Sequence, residues 1–593
     1  MSKAKSVLKR LIPDAKLPRN AFDRSVTVNQ SARAGELDIV FAQPFTRGSH
    51  VKLNRRVFSR TAEVNTAAFT VIDQHVEFFA VPINFLWSYW DNYKLQIRDY
   101  NSTALSAAYA SPNAGIAQPV TVPYFDYHQF ITSDLSSWSL SERQDDLYYN
   151  FGNGALRLFD AIGISQKPFL GIDYNNVKNN LLANPLACNL FKLAAYQKVY
   201  YDHFRNTLYE SNNPFAYNLD WITRDKSGFL DLTDTDCRAA FALLARLRYV
   251  DYRKDYFKNA YPSLNYSANV DSVTTFDIPS SVIYQYSSNR PDSILKNQSS
   301  VAINSPVYSS SVAHTVQSIR AAFALDKLLR HVSYAGKHVN QQVEARFGVK
   351  ANSRDSFESV RIGQFMNDVV IGEVTSMANT DNGISGDRLG KIGGKGIGSA
   401  DFGHDLEFTC TDDCIIIGVS YFIPRTSYDA SGIDNWNMKL QPEDFFVPEM
   451  MDLGLQPVYF KEIQMYVGND GGFYRPNDVL FYQPRYSEYK LGIDKNLGAF
   501  RTCMPEFSAN AGGSITAKSV SGALQQFVVH SDETNSSINS NFRYFKVDPK
   551  DLDSIFVSAQ DYVAQPNNDQ FFSDYVIKCV SNQNMSVHGQ PSF

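Results

Sequence analysis

The stretch "CIIIGVSYFIP", Cys414 to Pro424, restricts the fold of this chain more than any other. It is apolar on whichever side of a strand its residues fall. A strand with one wet face alternates apolar and polar side chains, so a run without alternation belongs to a strand covered on both faces. The run is far shorter than the roughly 20 apolar residues that span a bilayer, and no uninterrupted apolar run in the chain approaches that length. A β-rich body, without membrane insertion, is the expectation.

Other segments extend this reading. "GELDIVFAQPF" alternates Leu37, Ile39 and Phe41 with Glu36, Asp38 and Val40, and ends near Pro44. "AAFTVIDQHVEFFAVP" places Ile72, Val76, Phe78 and Ala80 on one face and Asp73, His75 and Glu77 on the other, with Pro82 as its stop. "SDYVIKCVSNQNMSV" alternates near the end of the chain. Helical periods separate these strands. Ile83, Leu86, Trp87, Trp90 and Tyr93 mark one helix face. Leu190, Leu193, Ala194, Tyr200, Tyr201, Phe204 and Leu208 mark a second. Ile319, Phe323, Leu325, Leu328, Leu329 and Val332 mark a third. Val339, Val343 and Phe347 mark a fourth, with Gly348 where a left-handed cap belongs. Residues 262–314 differ in texture: 14 serines, no Trp and five Asp, Glu, Lys or Arg residues read as a long surface excursion. No repeat of fixed period occurs, and strands do not alternate with helices as a parallel sheet requires.

Length and charge refine the picture. With 593 residues, 44% of them hydrophobic, the chain can fill a large core, either as several domains or as one β domain with long insertions. Six cysteines are too few for a disulfide scaffold. The N-terminus lacks the apolar stretch of a signal peptide, so the chain is expected to stay in the cytoplasm of the producing cell. Charge is unevenly placed: residues 1–60 carry 13 Lys and Arg against 4 Asp and Glu, whereas the whole chain nets −5. Lys3, Lys5, Lys9, Arg10, Lys16, Arg19 and Arg24 concentrate positive charge at the start, and Pro13 and Pro18 interrupt any long helix there. A basic arm on an acidic body marks a nucleic-acid-facing end, and equally a solvated tail.

Tests for catalytic chemistry fail one by one. The segment Gly383 to His404 holds eight glycines with Lys391 and Lys395 among them. It fits neither G-x-x-x-x-G-K-[ST] nor G-x-G-x-x-G, because Gly396 follows Lys395 and Ser399 takes the last glycine position. It reads as a mobile or tightly turning loop. Cys410 and Cys414, with His404 upstream, lack the second ligand pair of a structural zinc site and read as small side chains at a strand start. No serine lies in a nucleophile-elbow context. No catalytic, cofactor-binding or metal-binding residue is therefore assigned. "LFYQPRYSEYK" sets Arg485 among Tyr482, Tyr486 and Tyr489, a mixture suited to subunit contacts or to base stacking.

Several blocks, in order, resemble the major capsid proteins of microviruses, small tailless phages with circular single-stranded DNA, and most of all the gokushovirus side of that group. They are "FDRSVTVNQSARAGELDIVFAQPFTRGSHVKLN", "VEFFAVPINFLWSYWDNY", "LFKLAAYQKVYYDHFR", "YRKDYFKNAYPS", "SIRAAFALDKLLRHV", "GVSYFIPRTSY", "FYQPRYSEYK" and the ending "MSVHGQPSF". The resemblance implies a mainly β protein, an eight-stranded antiparallel jelly roll of the viral capsid type with long, partly helical insertions. It implies a homo-oligomer, a small T=1 icosahedral shell assembled in the host cytoplasm around a single-stranded DNA genome. Minor virion proteins and a host-cell surface receptor are the further partners it implies. On this reading residues 1–34 form the basic arm, with Lys3, Lys5, Lys9, Arg10, Lys16, Arg19 and Arg24 as candidate genome contacts. Residues 35–593 form one capsid domain, with 262–314 as its variable surface insertion and 383–404 as a glycine-rich loop. A receptor-binding adhesin and a β-rich carbohydrate-active enzyme are the competing readings.

Overall fold

The computed structural model describes residues 19–95, 121–129, 151–164, 187–261, 338–375, 392–463, 479–509, 545–556 and 569–587, apart from scattered positions within those spans, together with Arg320, Ala324, Lys327 and Leu328. The insertion at 262–314 and residues 383–391 of the glycine segment lie outside the described residues.

Ten strands share one sheet. They are β1 (Asn20–Asp23), β2 (Val26–Ala32), β3 (Asp38–Phe45), β4 (His50–Thr61), β5 (Val71–Pro82), β6 (Val360–Thr375), β7 (Ile392–Ala400), β8 (Leu406–Thr409), β9 (Cys414–Pro424) and β10 (Phe571–Gln583). The order is β1–β10–β4–β7–β6–β5–β9–β3, with β2 also on β10 and β8 on β4. Every pairing is antiparallel. β9 is the doubly apolar stretch: all eleven of its residues are buried, between β3 on one edge and β5 on the other.

The two faces of β9 meet different partners. On one face, Ile416 joins Phe41 of β3, Leu53 and Val57 of β4, Phe78 of β5, Phe365 of β6 and Ile577 of β10 in a single cluster. β4 and β10 are separated from β5, β9 and β3 by β7 and β6, so these side chains can share a core only if the sheet curls over itself. Hydrogen bonds cross the same interior. Ser59 Oγ donates to Gln74 Oε1 at 2.8 Å, Gln74 Nε2 donates to Tyr575 OH at 3.0 Å, and Ser420 Oγ lies 2.8 Å from that hydroxyl. On the other face, Ile417 and Val419 join Phe79 and Val81 of β5 and a set of helices. Burial of each large apolar side chain contributes about 1.5–3 kcal/mol, so β9, with both faces covered, anchors the fold.

Among the described residues, helices form at three of the four periods read from the sequence, with two local departures, while most of the period at Ile319–Val332 lies outside the described residues. Residues 83–94 form two short helices, α1 (Ile83–Leu86) and α2 (Trp90–Lys94), instead of one. The break has a cause. Trp87 is extended, its Nε1 donates to Thr223 Oγ1 at 2.9 Å, and Ser88 N is capped by Asp220 Oδ1 at 2.8 Å. α3 (Phe151–Ile162) buries Leu158, Phe159 and Ile162. α4 (Phe191–Val199) runs on into one wide π turn, Tyr200–Phe204. α4 is buried all round, polar residues included. Gln197 Nε2 donates to the carbonyls of Leu244 and Arg246, and Lys198 pairs with Asp202 at 2.9 Å. α5 (Val339–Phe347) ends at Gly348 in the left-handed region, as its sequence predicts, but none of its residues is buried. Its apolar stripe is open: Val339 is 59% exposed and Phe347 74%.

Two boundaries need correction. The glycine segment is not all loop, because residues 392–400 form β7, between β6 and β4. Gly396 fits there for want of space: a Cβ would overlap Thr61 Cγ2, while its N–H donates to Thr61 Oγ1 at 2.6 Å. Residues 20–32, placed in the arm by charge, are strands on β10, because Val26 and Val28 turn inward to pack on the interior cluster. Among the described residues, no helix is long and apolar enough to cross a membrane.

Candidate assembly and nucleic-acid surfaces

Of the seven basic residues assigned to the arm, Lys3, Lys5, Lys9, Arg10 and Lys16 lie outside the described residues. Arg19 and Arg24 are bound to the body. Arg19 Nη2 donates to Gly48 O and Arg24 Nη1 to Pro44 O, both at 2.6 Å. The Arg24 guanidinium also lies 4.5 Å over the Phe45 ring, and burial lowers its pKa. Arg24 therefore fastens β1 and β2 to the end of β3. Its charge is already engaged where the arm leaves the sheet edge.

The tyrosine-rich segment is mostly interior. Arg485 and Tyr486 are buried and stacked on each other at 4.8 Å, and Tyr486 adopts a left-handed backbone at φ 62°. Tyr489, however, reaches a surface cluster that the sequence reading did not single out. Trp436 packs edge-on against Phe445 and Tyr489 at 5.3 Å, and Phe446 meets Tyr486 at 5.1 Å. Lys439 lies 4.6 Å from the Tyr489 ring centre and pairs beneath the rings with Glu488. The side chains of that ion pair are each 6% exposed, so the rings form a lid over a satisfied charge. Their outer faces remain open: Trp436 is 48% exposed and Phe446 50%. The signal was present in "NWNMKLQPEDFFVPEMM", where aromatics and methionines sit among turn residues.

A second open surface lies on the outside of the curled sheet. Phe572, Arg60, Ile397 and Val370 are successive cross-strand neighbours from β10 through β4 and β7 to β6. Phe572, Ile397 and Val370 are all exposed, as are Phe58 and Met366 nearby. Arg60 covers the Phe58 ring at 4.9 Å and Arg56 the Phe402 ring at 6.0 Å. Exposed apolar patches rimmed by charge mark contact surfaces.

Among the described residues, the side chains suited to acid–base chemistry are held in structural contacts. Asp202, His203 and Ser359 meet, but Ser359 Oγ donates to Asp202 Oδ2 at 2.8 Å, whereas His203 Nε2 lies 3.0 Å from Ser359 Oγ. In a catalytic triad the carboxylate holds the far nitrogen of the imidazole instead. Ser359 is 2% exposed, and burial lowers the His203 pKa. His75 stacks on Tyr421 at 4.9 Å, and burial lowers its pKa too. The acids flanking it are occupied. Arg425 Nη2 and Arg253 Nη1 reach Asp73 at 2.7 and 3.1 Å, and Glu77 takes Arg361 at 2.9 Å and the Tyr421 hydroxyl at 2.6 Å. Cys410 and Cys414 are buried with their sulfurs 3.1 Å apart. Among the described residues, no group of three or more His, Cys, Asp and Glu is placed to hold a metal ion. A cavity of about 230 Å³ is lined by Tyr256, Tyr428, Glu462 and Lys495. There Glu462 accepts from Tyr256 OH and Tyr459 N, each at 2.9 Å. Burial pushes the Glu462 carboxyl up to about 7.

Comparison with known proteins gives one family and one curated relative. The family described as "Capsid protein (F protein)" matches residues 11–140 and 172–509. The capsid protein VP1 of Chlamydia phage 1 is 27% identical over 203 residues. That match spans 33% of this chain and 33% of the relative, about a third of either length.

Proposed function

The chain belongs to the capsid protein (F protein) family, matched over most of its length, and on that premise we propose how this phage capsid protein builds its shell. Copies join into a small icosahedral particle around single-stranded DNA. The curled sheet is the wall, a jelly roll whose continuous path has eight strands, with β2 and β8 added at its sides. Residues 35–593 act as one domain and 262–314 as an outer-surface insertion, which protease should cut first on intact particles. The observation that carries the proposal, beside the family itself, is the pair of open apolar surfaces around Trp436 and around Phe572. A free subunit gains nothing from holding such surfaces in water, and repeated contacts between copies would cover them. Catalysis has no part in this role.

The test begins with full-length protein, size-exclusion chromatography and negative-stain imaging. Particles are expected. The double variant Trp436→Ala, Phe446→Ala should keep the circular dichroism and melting behaviour of the parent but elute as subunits. Normal particles from that variant would remove the Trp436 surface from the proposal. Soluble monomers from the unaltered chain, at any concentration and in the presence of single-stranded DNA, would count against unaided self-assembly.

A further inference from the structure

Cys410 and Cys414 bracket the three-residue turn Thr411–Asp413 between β8 and β9. Backbone hydrogen bonds, more than the turn itself, hold the two cysteines in place. Cys410 N donates to Ser49 O at 2.8 Å, and Gly48 N donates to Cys410 O at 2.7 Å. Cys414 is the first residue of β9, in register with Phe45 of β3 and Pro82 of β5. The sulfurs stand 3.1 Å apart, inside the usual contact distance of two unbonded sulfur atoms and about 1 Å beyond a disulfide bond length. Closing that gap takes about 1 Å of relative sulfur movement.

Among the described residues, no further ligands join the two thiols. Zinc in a structural site takes four ligands. His50 Nδ1 lies at Thr409 Oγ1, and the nearby carboxylates point to cations: Asp412 to Arg47 at 3.1 Å, Asp413 to Lys94 at 2.5 Å and to Trp90 Nε1 at 3.0 Å. What remains is a dithiol at a joint. The same turn also receives Ile83 N on Asp413 O and Arg47 N on Asp413 Oδ1. It thus ties together the β3–β4 turn, the start of α1, α2 and β9.

We propose that Cys410 and Cys414 form an oxidisable staple, which a peroxide converts to a disulfide that locks this joint. One thiol, as thiolate, attacks hydrogen peroxide. Sulfur gains an oxygen as sulfenic acid, the O–O bond breaks, and the other oxygen leaves as water. The second thiol then displaces the sulfenic oxygen as a second water and forms the S–S bond. Two thiols lose two electrons and two protons in all, and one peroxide becomes two waters. Both thiols are buried, and the adjacent Cys410 thiol together with burial pushes the Cys414 pKa up. The reaction is therefore slow in the closed state, and the product is equally sheltered from reductants.

The experiment uses full-length protein treated with hydrogen peroxide, quenched, denatured and alkylated. Residues 396–425 form one tryptic peptide that holds both cysteines and no other. Mass spectrometry should find it unalkylated and lighter by two hydrogen atoms. Partly exposed Cys188 should instead be either alkylated or carry added oxygen. The oxidised protein should melt at higher temperature than the reduced protein, and the double variant Cys410→Ser, Cys414→Ser should show no such difference. If that variant misfolds, Cys410→Ala alone replaces it and should likewise abolish the difference. Alkylation of both thiols after peroxide has oxidised Cys188 would overturn the staple. So would oxygen added independently to each of the two sulfurs.

Discussion

At the scale of the residue, Glu462 shows how an environment becomes a measurable property. Its carboxyl is buried beside Tyr256 and holds its proton to about pH 7. In the unfolded chain it ionises near the ordinary glutamate value. The folded state thus binds the extra proton over that interval, so the stability it contributes is complete below about pH 4.5 and is lost as pH rises through about 7. The loss should reach up to about 3 kcal/mol, from 1.36 kcal/mol for each pKa unit. Urea unfolding of the parent and of Glu462→Gln across this range should differ in slope, with the variant flatter; parallel curves would refute the assignment. Gly396 makes a steric prediction. A methyl group there meets Thr61, so Gly396→Ala should cost about 1–3 kcal/mol by overpacking. Adding Thr61→Ser removes the opposing methyl and should restore part of the melting temperature. No gain from the second change would mean that Gly396 matters for another reason.

At the scale of the element, the curled sheet depends on groups that meet across its interior as much as on its strand ladders. Tyr575 of β10 hydrogen-bonds to Gln74 of β5 and Ser420 of β9, strands four and five places away in sheet order. Tyr575→Phe keeps the ring in the core but leaves Gln74 Nε2 without its acceptor. A buried polar group left unsatisfied costs about 1–3 kcal/mol. Chemical denaturation should show a lower midpoint with an unchanged slope. An unchanged midpoint would mean that the crossing bonds contribute nothing to closure. A different bond set holds the helical layer to the sheet: Arg157 of α3 pairs with Glu36 before β3 and with Asp569 before β10. One guanidinium there joins elements from both ends of the chain.

At the scale of the whole molecule, charge separation between arm and body sets the expected partner. Arg19 and Arg24 are fastened to the body, so the cations proposed for genome contact are Lys3, Lys5, Lys9, Arg10 and Lys16. Each cation that neutralises a phosphate adds roughly 0.7 to the salt slope of single-strand binding, so five engaged residues give a slope of about 3 to 4. Changing the five to Gln should flatten the slope and lower the DNA content of particles, while shells still form. Unaltered DNA content and slope would refute the genome contact, and loss of shells would assign the arm to a neighbouring subunit.

The sequence by itself marked the strands β3, β5, β9 and β10 and showed that β9 is dry on both faces. The alternations in residues 35–45 and 573–587 and the unbroken apolar run at Cys414–Pro424 are local patterns, and strands form there at Asp38–Phe45, Phe571–Gln583 and Cys414–Pro424. The cap at Gly348 is local in the same sense. Only the tertiary structure decided what meets what. The glycine stretch at Ile392–Ala400 has no strand period of its own. It is a strand because β6 and β4, whose ladders it completes, come from distant parts of the sequence. The apolar stripe on α5 is open, whereas the polar Gln197 and Lys198 are buried with partners. The cluster around Trp436 likewise draws Tyr486 and Tyr489 from another segment. Side-chain period is set by backbone geometry within a few residues, whereas burial is set by the neighbours that distant segments supply.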